Sequence, residues 1–134
     1  MTTKEALQNF KNIAVYGMSK NQNKAAHTVP VFISKQGYNV IPVNPTVDEI
    51  ANLKAYHKLI DVPENIEILN VFRPSEDALN VVEEAIERKK IKGDIHLIWL
   101  QEGIYNDEAK DLAEKNGIVF IQDKCIYKEY INNF

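Results

Sequence analysis

The chain has 134 residues, 45% of them apolar and 26% charged, the composition of one folded domain with its own core and too apolar for a disordered segment. Its 16 Lys and Arg against 19 Asp and Glu leave a net charge of −3, which excludes a global field that would draw it onto nucleic acid or an anionic membrane, so any bound anion has to be met by a local site. The single Cys125 cannot close an internal disulfide, the start has no signal-like apolar run, and nothing approaches the ~18 apolar residues of a membrane span; one cytoplasmic domain over 1–134 is expected.

In chain order, residues 4–12 predict a short leading helix and 13–16 a first strand. Thr28 is placed to cap a helix that turns Val29, Phe32 and Ile33 inward and ends at Gly37. A second strand covers 39–43. Residues 48–65 have no clear period and suggest a short helix and a loop. After a third strand at 68–72, residues 75–90 carry the clearest helical spacing. Leu79, Val82, Ala85 or Ile86 and the Lys89 stem share one face there, with Glu83, Glu84, Glu87 and Arg88 outward. A fourth strand over 95–100 holds Trp99 in the core. Asn106 caps a helix with Ala109, Leu112 and Ala113 inward and Gly117 as its stop, a fifth strand follows at 118–121, and 124–131 make a closing helix. The strands are almost continuously apolar, which requires cover on both faces. The expected architecture is α/β: a Rossmann-like, doubly wound parallel five-stranded sheet, order 3-2-1-4-5, in a single domain.

In such sheets a ligand binds beyond the carboxyl ends of the strands. After strand one come Gly17, Met18, Ser19, Lys20, Asn21 and Lys24, ahead of a helix whose free N–H groups suit phosphate oxygens. The plain alternative is a polar connection with solvated lysines. Val43, Asn44 and Pro45 end strand two, Phe72 and Arg73 end strand three, and Gln101, Glu102 and Gly103 follow strand four.

Several chemistries are disfavoured. A dinucleotide site calls for three glycines in the first loop and an acid after strand two, whereas this chain has one glycine and Asn44. An NAD(P)-dependent reductase is therefore the alternative reading and not the first. His27, His57 and His96 have no metal-ligand spacing and read as structural or surface residues, so no metal is expected. Ser19 lacks the elbow motif of a serine hydrolase. Cys125 is either a nucleophile near the ligand or a thiol packed under the closing helix. No acid, base and nucleophile converge, so no catalytic residue is assigned.

The segments Ile13-Ala14-Val15-Tyr16-Gly17-Met18-Ser19, Gly37 to Pro45, Lys54-Ala55-Tyr56, Val71-Phe72-Arg73, Trp99 to Gly103 and Asp123-Lys124-Cys125 together resemble the stand-alone CoA-binding domain family. That family is related to the CoA-binding domain of the succinyl-CoA synthetase alpha subunit. The resemblance implies that the loop from Gly17 to Lys24 holds the diphosphate of coenzyme A and that Val43-Asn44-Pro45 borders the nucleotide. Phe72, Arg73 and the Gln101-Glu102-Gly103 turn would line the way to pantetheine. It also implies a small-molecule ligand, coenzyme A or an acyl-CoA, and a binding module in place of a complete enzyme.

Overall fold

In the computed structural model, which describes residues 1–134, the chain begins with α1 (Thr3–Asn9), β1 (Asn12–Tyr16), α2 (Ala25–Ser34) and β2 (Asn39–Val43). A hairpin of β3 (Glu49–Ile50) and β4 (Leu53–Lys54) leads to β5 (Ile68–Val71), α3 (Ala78–Lys92) and β6 (Leu97–Leu100). The chain then runs through α4 (Asp107–Lys115), β7 (Val119–Ile121) and α5 (Ile126–Asn133). All pairings in the five-stranded sheet are parallel. Alternation along each strand divides the core in two. Ala14, Ile41, Leu69 and Ile98 pack with Val82 and Ala85 of α3, while Ile13, Val15, Ile68 and Trp99 pack with Leu7 of α1, Ile33 of α2 and Ile126 of α5. No helix is long and apolar enough to cross a membrane.

The α/β class and the five parallel strands are as expected, but their order is not. The sheet runs β2-β1-β5-β6-β7, which is 2-1-3-4-5 in strands of this sheet, where the sequence suggested 3-2-1-4-5. The reason lies on the outer side of β2. Tyr56 donates its N–H to the Pro42 carbonyl at 3.0 Å, and its own carbonyl accepts from Asn44 N–H at 2.9 Å. Pro42 points its carbonyl outward and has no N–H to offer there, so it cannot support a full neighbouring strand. With that side taken by Ala55-Tyr56, the third strand crosses back and pairs with β1 instead.

Four further expectations are corrected. Residues 48–65 do hold a short helix, a 3-10 turn over Leu59–Asp61, but they open with the unexpected β3–β4 hairpin, whose turn residues Ala51 and Asn52 both have positive φ, 53° and 65°. α2 begins at Ala25 with Lys24 as its N-cap, so Thr28 lies within the first turns and caps nothing. Arg88 is not outward but 1% exposed. Its Nε and Nη2 donate to the Asp94 carboxylate at 2.7–3.1 Å, its Nη1 to the carbonyls of Leu59 and Val62 at 2.6 and 2.9 Å, and its Nη2 to that of Glu64 at 3.0 Å. This pair fastens the segment after the hairpin to the end of α3. Finally, Ile95 stands outside β6 because its φ of +68° is incompatible with an extended strand.

Candidate functional site

Because β2 lies on one side of β1 and all later strands on the other, the connections after β1 and β5 leave in opposite directions, and a crevice opens between them above the carboxyl ends of the two strands. Two cavities occupy that rim. The first, about 640 Å³, is lined by Tyr16, Gly17, Met18, Ser19, Lys24, Ala26, Val43, Asn44, Pro45, Thr46, His57, Phe72 and Arg73. The second, about 300 Å³, lies between α2 and the ends of β5 and β6, and has Ala25, Val29, Pro74, Gln101, Glu102, Ile104 and Cys125 in its walls. Ala26, Phe72 and Arg73 belong to both, so the two form one groove over the sheet.

The loop after β1 is fixed from several sides. Gly17 has φ +87°, and a Cβ there would lie 2.9 Å from the Phe72 carbonyl oxygen and 3.1 Å from Arg73 Cδ, so only glycine lets β1 and β5 end this close together. Pro30 sits inside α2 and has no N–H for the carbonyl of Ala26, four residues back. That carbonyl accepts instead from Ser19 N–H at 3.1 Å, while the Ser19 carbonyl lies 2.7 Å from His27 Nδ1. Asn44 donates its amide to the Met18 carbonyl at 2.9 Å and accepts from both Thr46 N–H and Thr46 Oγ1 at 2.8 Å. Its side chain thus positions the loop, with both ends of the amide in use.

Charge at the groove is positive on one wall. Lys24 caps α2 without a side-chain hydrogen bond, which leaves first-turn N–H groups of α2 available to an anion. Arg73 is half exposed and is held by Asp77 at 2.8 Å. Tyr16 donates its hydroxyl to Glu84 of α3. Burial, and then that hydrogen bond and the Glu84 charge, push the phenol well above the usual tyrosine range, so it stays a neutral donor.

Of the residues singled out from sequence, Gly17, Met18, Ser19, Lys24, Val43, Asn44, Pro45, Phe72, Arg73, Gln101 and Glu102 line the groove. Met18 does so from within the core, fully buried. Gln101 is also buried, its Oε1 accepting from Asn70 Nδ2 at 3.3 Å and Ile126 N–H at 2.9 Å. Glu102 pairs with Lys128 at 2.9 Å on the rim. Lys20, Asn21 and Gly103 stand outside both cavities: Lys20 and Asn21 are exposed, and Gly103 N–H donates to Asp123 Oδ1 at 2.7 Å. Cys125 is partly buried and lines the second cavity, so it is not packed away under α5. Sequence reasoning missed Tyr16, Thr46 and His57 as groove residues. Tyr16 and Thr46 adjoin recognised strand ends, whereas His57 arrives through the unforeseen hairpin.

The sequence model of the family described as "CoA binding domain" matches residues 11–131. The chain belongs to the CoA binding domain family. It is 40% identical over 123 residues to the Bacillus subtilis protein YneT, covering 92% of this chain and 87% of that one. It is 26% identical over 120 residues to the ADP-forming acetate–CoA ligase of Methanocaldococcus jannaschii, a match that takes in 87% of this chain but only 17% of the ligase. Among solved structures, one from Thermus thermophilus superposes with a TM-score of 0.90 at 33% identity, covering all of both chains.

The residues present fit coenzyme A. Its phosphates call for donors such as Lys24, Arg73 and the open first turn of α2. Its pantetheine arm calls for an apolar trough such as that of Val29, Phe72 and Ile104. A bound ribose diol would want an acid at the end of β2, and Asn44 stands there with its amide already engaged.

Proposed function

We propose that this protein binds coenzyme A or an acyl-CoA reversibly, as a binding module without chemistry of its own. The observation that carries this is the form of the groove, a cationic half at the start of α2 joined through Phe72 and Arg73 to an apolar half. The diphosphate lies against the first turn of α2 with Lys24, and Lys20 adds long-range attraction from the rim. The adenosine borders Val43-Asn44-Pro45. Pantetheine passes Phe72 and Arg73 towards Gln101, Glu102 and Gly103, with its thiol end near Cys125. The family membership and the likeness to part of an acetate–CoA ligase support the choice of ligand.

Calorimetric titration with coenzyme A, NAD and NADP tests it, and coenzyme A is expected to bind more tightly than either dinucleotide. A second measurement follows alkylation of Cys125 by intact mass, which saturating coenzyme A should slow. Equal or tighter NAD binding would move the protein to the oxidoreductases, and alkylation indifferent to bound coenzyme A would remove the thiol end from the second cavity.

A further inference from the structure

Building on the coenzyme A reading, we infer that His57 is a proton-linked contact for a phosphate of the nucleotide, taking up a proton as the ligand binds. His57 follows the hairpin and lines the first cavity beside Asn44, Pro45 and Thr46. Its Nε2 lies 2.8 Å from Asp48 Oδ1, and the imidazole is 51% exposed. An ionised carboxylate can only accept, so Nε2 carries the hydrogen and the neutral ring is left with a lone pair on Nδ1. A lone pair set against a phosphate oxygen repels it. Protonation converts Nδ1 into a donor and adds a positive charge, so only the imidazolium suits the ligand.

The charged and titratable groups around this ring come from each side of the cavity. They are Asp48 from the turn before β3, Lys24 from the start of α2, Arg73 after β5 and Tyr16 at the end of β1. Lysine and arginine side chains are cationic throughout the neutral range, and the Tyr16 phenol is held neutral. Among these groups the imidazole is the one type that changes charge between pH 5 and 8. Asp48 occupies Nε2 and leaves Nδ1 as the ring nitrogen free to meet a ligand, and the pair makes affinity depend on pH.

The test is calorimetry on the full chain in Pipes and in Tris, whose different ionisation enthalpies reveal proton transfer, at pH 6, 7 and 8. Wild type is expected to take up a fraction of a proton and to bind coenzyme A about tenfold more tightly at pH 6 than at pH 8. H57Q, a substitution at an exposed position, should keep only the part that comes from the ligand's own phosphate titration, which is common to the two proteins, so the wild-type-minus-H57Q difference in proton count and pH dependence reports His57 alone. D48N keeps a partner for Nε2 but lets it accept, so the neutral ring can present Nδ1–H and proton uptake should shrink. Dephospho-CoA separates the two phosphate sources: uptake that persists points to the diphosphate, and uptake that disappears points to the 3′-phosphate. Coenzyme A binding with the same proton count and pH dependence in wild type and H57Q would overturn the inference and leave the groove reading standing. No coenzyme A binding at any of the three pH values would bring down both.

Discussion

Replacing Pro30 by Ala should stabilise the fold and weaken the ligand site at the same time. The new N–H at position 30 competes for the Ala26 carbonyl that Ser19 N–H now holds at 3.1 Å. A proline inside a helix costs about 3 kcal/mol. Relief of that cost is offset by about 1 kcal/mol for the Ser19 bond and about 0.7 kcal/mol for the freer unfolded chain. The net gain is about 1 kcal/mol, which for a domain of this size raises Tm by about 4 °C. The loop from Gly17 to Lys24 keeps its contacts to Asn44 and His27 but loses this one, and the ligand has to supply that part of its order. The lost hydrogen bond, about 1 kcal/mol, corresponds to coenzyme A binding about fivefold weaker. Thermal unfolding and calorimetric titration of the same preparation give both numbers. A variant with raised Tm and unchanged affinity would show that the Ser19–Ala26 bond does not position the loop, and a lowered Tm would show that Pro30 is already accommodated without strain.

Other outcomes follow from the packing. Gly17→Ala should destabilise by about 2–3 kcal/mol in urea unfolding, against about 1 kcal/mol for Gly37→Ala, because both have positive φ but only Gly17 faces the Phe72 carbonyl and Arg73. Equal effects would remove the close approach of β1 and β5 as its cause. Arg88→Leu leaves the Asp94 carboxylate buried without its counter-charge, with only the Ile66 N–H at 2.8 Å still donating to it, and should cost about 3–5 kcal/mol, whereas Glu87→Leu on the exposed neighbouring position should stay within about 0.5 kcal/mol. In alkaline titration followed by phenolate absorbance, Tyr16 should ionise late, and Glu84→Gln should bring one phenol to lower pH. The folded chain keeps the Tyr16 proton where the unfolded chain releases it. Its contribution to stability is therefore whole below the ordinary tyrosine range near pH 10 and is lost as pH rises beyond it.

Much of the fold was legible because local signals agreed: apolar runs too continuous for one-sided strands, and glycines at the ends of elements. The strand order was missed although one residue announced it. Pro42, in the middle of β2, lacks the N–H that an inner strand needs, and so marks an edge. Arg88 was read as outward from its charge alone. Its position was on the buried stripe all along, since Val81, Ala85 and Arg88 follow the i, i+4, i+7 spacing of one helix face. What hid it was the partner, Asp94, which lies past the helix end at Gly93. The site divides in the same way. Groove residues directly at strand ends follow from the fold class, as Asn44, Phe72 and Arg73 do. His57 depends on a hairpin whose Ala51-Asn52 turn has no glycine to declare it, and Cys125 reaches the second cavity only through the placement of α5.

The Ala55-Tyr56 segment against β2 also decides how copies of this chain can associate. It covers the Pro42–Asn44 end of the β2 border, and Pro42 behind it gives an incoming strand no donor. At the opposite border β7 pairs only with β6 and offers three residues. Association of folded chains through β7 has that short seam to use, and joining two such seams consumes both. Growth by this route stops at a pair of molecules and cannot propagate into a fibre.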